Sequence, residues 1–93
     1  MYWVYILYSK GLDKYYIGQT SEISNRIQSH LNKKNFYTSR ANDRELVFAQ
    51  ETKDRTEALT LEKKIKHAKS RKSILRYINN PRNKAALFLH NGE

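Results

Sequence analysis

The chain has 93 residues, 39% of them hydrophobic, and eighteen Lys/Arg against nine Asp/Glu give a formal net charge of +9. A chain this short makes one domain and buries only about 60–65% of its unfolded surface, so its core is limited. With no cysteine, disulfide stapling and cysteine-ligated zinc are excluded, and a cytoplasmic location is the default expectation.

No apolar run approaches the ~18 residues of a membrane span, so a membrane partner is not expected. No basic segment precedes an apolar stretch, so no signal peptide is expected either. The positive charge favours a polyanionic partner, because neutralising phosphates releases condensed counterions.

In chain order, residues 2–8 alternate and are rich in Tyr, Trp, Val and Ile, which predicts a strand. Ser9 to Asp13, with Gly11, is the connecting loop, and residues 14–19 form a second strand in an antiparallel hairpin. Period-two geometry places Trp3, Tyr5 and Leu7 on one face and Val4 and Ile6 on the other. Tyr16 and Gly18 share a face, as do Tyr15 and Ile17. The register between the strands is left open.

Thr20-Ser21-Glu22 signals a helix start. Ile23, Ile27 and Leu31 give that helix a narrow apolar stripe ending near Asn32–Lys34. Residues 35–45 read as irregular, and Leu46 to Gln50 as a third strand. Asp54-Arg55-Thr56-Glu57 has the spacing of a capping box. Ala58, Leu61, Ile65 and Ala68 then line a second helix. Ser70 restarts or extends helical structure through Ile78, and Asn79-Asn80-Pro81 stops it.

The fold class is therefore α+β, a small three-stranded antiparallel sheet flanked by helices. The domain is expected over residues 1–80. A tail over 81–93 carries an apolar patch, Ala85 to Leu89, that docks or frays.

Tyr5 and Tyr16 lie in strands, where packing alone accounts for tyrosine. Arg26 and His30 are four apart on one helix face. Glu62 has Lys66 four residues on, an ordinary surface pair in itself. Taken singly, none of these exceeds a structural explanation.

Together they resemble something specific. The order Tyr-Ile-Leu, Tyr-Ile-Gly-Gln-Thr, Asn-Arg-Ile, Ser-His-Leu and Leu-Glu-Lys-Lys-Ile-Lys is similar to the GIY-YIG nuclease family, from Tyr2 to about Ile78. The likeness is to compact members related to the catalytic part of structure-specific endonucleases. The second motif, Tyr16-Ile17-Gly18, is intact. The first reads Trp3-Val4-Tyr5, without its glycine.

The resemblance implies a metal-dependent DNA endonuclease with Mg²⁺, or Mn²⁺, as cofactor. It makes Tyr5 and Tyr16 the motif tyrosines, one acting as general base. It makes Arg26 the contact to the scissile phosphate, His30 an assisting group, Glu62 the metal ligand, and Gly18 the position where backbone passes close to the site. Asn79 and Asn80 lie too far from Glu62 to take the role of the family's later asparagine.

The chemistry is coherent on its own terms. An unperturbed tyrosine has a pKa near ~10, and cationic neighbours such as Arg26 and Lys14 favour its phenolate. One Mg²⁺ needs only one carboxylate, waters and the phosphate. Arg26 is suited to stabilise charge on the nonbridging oxygens.

DNA is the expected partner. Lys14, Arg40, Lys63, Lys66, Lys69, Arg71 and Lys72 are candidate backbone contacts. Five of these belong to a run of seven cations without an acid between Lys63 and Arg76. Phe36, Tyr37 and Tyr77 are candidates for stacking on unpaired bases. His67 and His90 show no metal-ligand spacing. Two alternatives remain: a noncatalytic nucleic-acid-binding module, and a subunit whose protein partner supplies specificity, with Leu87-Phe88-Leu89 the one hint of such a surface.

Overall fold

The computed structural model describes residues 1–23, 44–68 and 70–89. Among the described residues are three strands, β1 (Tyr2–Ser9), β2 (Lys14–Thr20) and β3 (Arg44–Thr52), and, after β3, helices α1 (Arg55–Ala68), α2 (Arg71–Ile78) and the short α3 (Ala86–Leu89); the helix expected after Thr20 lies, past Ile23, outside the described residues. The sheet is antiparallel in the order β2-β1-β3. The α+β expectation holds. The third strand is longer than its apolar stretch suggested, because Arg44 and Glu45 pair with Ser9 and Tyr8.

As the central strand, β1 is covered on both faces, and Val4 to Leu7 are all buried. On one face Tyr5, Leu7, Ile23, Leu46, Ala49 and Ala85 cluster, with Trp3 and Tyr16 packed against them. On the other, Val4, Ile6 and Phe48 meet Ala58 and Ile65 of α1, joined by Ile74 and Tyr77 of α2. We call these the tyrosine face and the helix face. Ile6 pairs with Phe48 and Leu7 with Leu46, so Val47 is an extra residue, a bulge that bends β3.

Local chemistry sets the helix ends. The Asp54 carboxylate accepts from the Glu57 N–H at 2.9 Å, the first half of the expected capping box. Glu57 Oε1 returns to the N–H of Lys53, at 2.8 Å, one residue further out than the reciprocal bond usually reaches. A new helix begins at Arg71 because Ser70 caps it, its Oγ accepting from the Ser73 N–H at 3.1 Å.

The segment after Pro81 docks. The Asn83 side chain accepts from the N–H groups of Ala49 (3.0 Å) and Ala85 (2.9 Å). It donates to the carbonyls of Val47 and Ile78, both at 2.8 Å. The Lys84 N–H adds a bond to the Ala49 carbonyl at 2.8 Å. Backbone groups of edge strand β3 are thereby satisfied without a fourth strand.

Candidate active site

The register settles what the strand pattern left open. Tyr5 pairs with Gly18 and Leu7 with Tyr16. Cross-strand partners point to the same side of a sheet, so both motif tyrosines stand on the tyrosine face. The Tyr5 ring lies across Gly18: a Cβ at that position would fall 2.6 Å from Oη and 2.8 Å from Cζ. No described glycine has a positive φ, so Gly18 is required for space and not for backbone conformation. The Tyr5 hydroxyl thus sits over the strand that carries Tyr16, two residues along.

Arg44 joins them from β3. Its Cζ lies 4.0 Å over the centroid of the Tyr16 ring, within cation–π range. Among the described residues its buried Nε has no hydrogen-bond partner. Sequence reasoning missed this residue because 35–45 read as irregular. The signal was there in the alternation Arg44-Glu45-Leu46, which puts Arg44 on the face of buried Leu46.

Glu62 belongs to α1, which packs by Ala58 and Ile65 on the helix face. Its carboxylate pairs with Lys66 Nζ at 3.0 Å, and its side chain is 15% exposed. No three acidic or histidine groups converge among the described residues. One carboxylate is a donor set that suits Mg²⁺, which retains several waters and borrows phosphate oxygens, provided Lys66 yields its hold. Arg26, His30, Arg40 and Lys69 lie outside the described residues, as do Phe36 and Tyr37.

Of the remaining expected phosphate contacts, Lys14, Lys63 and Lys72 are exposed. Arg71 is engaged elsewhere, donating to the Asp13 carboxylate at 2.8 and 3.1 Å. Tyr8 donates to the same carboxylate at 2.7 Å. The Arg71 guanidinium, then the Tyr8 hydroxyl, hold the Asp13 carboxyl below its ordinary range. The bond to Asp13 raises the Tyr8 phenol above its own. Asp13 has φ 53, a left-handed turn conformation that Asp tolerates better than most residues. This cluster ties the β1–β2 turn to the start of α2. On the same side, Lys64 and Arg76 line a cavity of about 330 Å³ with Ser73, Tyr77 and Asn80.

The α+β fold, a three-stranded antiparallel sheet with helices packed on one face, is consistent with a compact nuclease domain. The family model described as the GIY-YIG catalytic domain matches residues 1–76, and the chain belongs to the GIY-YIG family. Neither curated proteins nor solved structures gave a match. No helix among the described residues is long and apolar enough to cross a membrane.

Proposed function

We propose that the chain is a Mg²⁺-dependent DNA endonuclease that hydrolyses a phosphodiester by tyrosine-assisted attack of water. The observation that carries this reading is the placement of Tyr5 and Tyr16 on one face, one hydroxyl seated over Gly18, in a chain of a nuclease family.

The water oxygen bonds to phosphorus as its proton passes to a tyrosine phenolate, and the bond to the leaving oxygen breaks, that oxygen departing with the electron pair and taking up a proton. Arg26 donates to the nonbridging oxygens as their charge grows, and His30 assists the proton transfer. Glu62 would hold the cation. When bound, Mg²⁺ supplies charge neutralisation at the phosphate.

The test uses branched, flapped and single-stranded DNA, in Mg²⁺ and in EDTA. Wild type is expected to cut in Mg²⁺ alone, and Glu62→Ala to lose that activity. Wild type that cuts none of these substrates overturns the proposal. One observation favours a second reading, a noncatalytic DNA-binding module: Glu62 is already ion-paired with Lys66. DNA binding equal in wild type and Glu62→Ala, with hydrolysis in neither, would establish it.

A further inference from the structure

Resting on that phosphodiester reading, we infer that Arg44 and Lys14 form a two-cation clamp for a backbone phosphate of a nucleic-acid strand, beside Tyr16 on the tyrosine face.

The sheet register builds the clamp. Ser9 on the central strand pairs with Lys14 on one side and Arg44 on the other. The three therefore form one row across the sheet and share a face with Leu7 and Tyr16. The two outer backbones are about 9–10 Å apart across two strand spacings. Between them, Ser9 is fully buried, its Oγ accepting from the Leu12 N–H at 3.2 Å. A small central residue thus lets the Arg44 side chain cross the middle strand toward Tyr16, on the strand that begins with Lys14.

Arg44 is the unusual member. A half-buried arginine normally faces a carboxylate, because an uncompensated charge away from water is costly. Here the guanidinium lies on the Tyr16 ring. Among the described residues its Nε has no acceptor, and neither Arg44 nor Lys14 has an ion pair there. By contrast, Arg71 and Lys66 are neutralised by Asp13 and Glu62. Contact with the ring restricts where the guanidinium sits, and its fork geometry matches two oxygens of a phosphate. Lys14, exposed at the start of β2, adds a mobile point charge.

The test is fluorescence anisotropy with a fluorescein-labelled flapped DNA in EDTA, across a salt series, so that binding is read without cleavage. Arg44→Gln and Lys14→Gln are each expected to weaken binding about tenfold, the worth of one charge-assisted hydrogen bond. Each should also lower the magnitude of the logarithmic salt slope by about 0.7–0.9, one phosphate contact. Arg44→Lys keeps the charge but loses the stacked fork, so its slope should match wild type while its affinity falls.

Circular dichroism checks folding. If Arg44→Gln does not fold, Arg44→Lys and the exposed Lys14→Gln decide. Folded variants with wild-type affinity and slope overturn the clamp and leave the nuclease proposal standing. Wild type that does not bind DNA removes both.

Discussion

Replacing Gly18 with alanine isolates the contact on which the tyrosine face is built. In an open strand position the change would stabilise the fold by roughly 0.5–1 kcal/mol, because glycine loses more backbone freedom on folding. At Gly18 the new methyl meets Tyr5 Oη at 2.6 Å and Cζ at 2.8 Å, both closer than nonbonded atoms tolerate. Tyr5 is 7% exposed and packed in the core cluster, so the ring cannot swing aside without disturbing its neighbours. Overpacking of this kind costs about 1–3 kcal/mol. The net expectation is destabilisation of roughly 1–2 kcal/mol. Urea denaturation should show a lower midpoint at unchanged slope. In a Tyr5→Leu background both clashing atoms are gone, and Gly18→Ala should become neutral or stabilising. Gly18→Ala as stable as wild type with Tyr5 present would refute the argument.

Three further outcomes are expected. Tyr16→Phe removes the hydroxyl but keeps the ring under Arg44; DNA affinity in EDTA should stay within about twofold, while cleavage falls by about 10²-fold or more, in the range of a lost general base. Asn83→Ala strips partners from four backbone groups and should cost about 2–3 kcal/mol in chemical denaturation, less than the sum because water reaches an edge strand. The Asp13 carboxyl is depressed in the folded state, so its contribution is present above its unfolded pKa and lost as pH falls through the folded value. Stability measured from neutral pH down past the ordinary carboxylate range should fall less steeply in Asp13→Asn than in wild type; identical curves would refute the linkage.

The elements of the fold were legible where local pattern determines them. The tyrosine-rich alternation of β1, the cap at Asp54 and the stop at Asn79-Asn80-Pro81 all mark their boundaries with short-range chemistry. Register was not legible, because several pairings of β1 with β2 bury similar residues; only the fold shows that Tyr5 lies over Gly18. Arg44 escaped because charge hid a strand residue, and β3 was read from its apolar centre outward. The Asp13–Arg71 pair joins residues 58 apart in sequence, a separation at which charge patterning carries no information. Asn83 was equally silent: its side chain does the work of a strand's backbone, and no periodicity announces that.

The Asn83 clip also governs how this molecule meets copies of itself. A bare outer strand invites a neighbour's strand to continue the sheet. Here the Val47 carbonyl and both polar groups of Ala49 are already taken by the same chain. Growth of the sheet in that direction would first have to unseat residues 83–85. A stray strand meets competition from an intramolecular partner held at high local concentration, and the protein gains a guard against self-association on that side from one amide side chain and the backbone N–H that follows it.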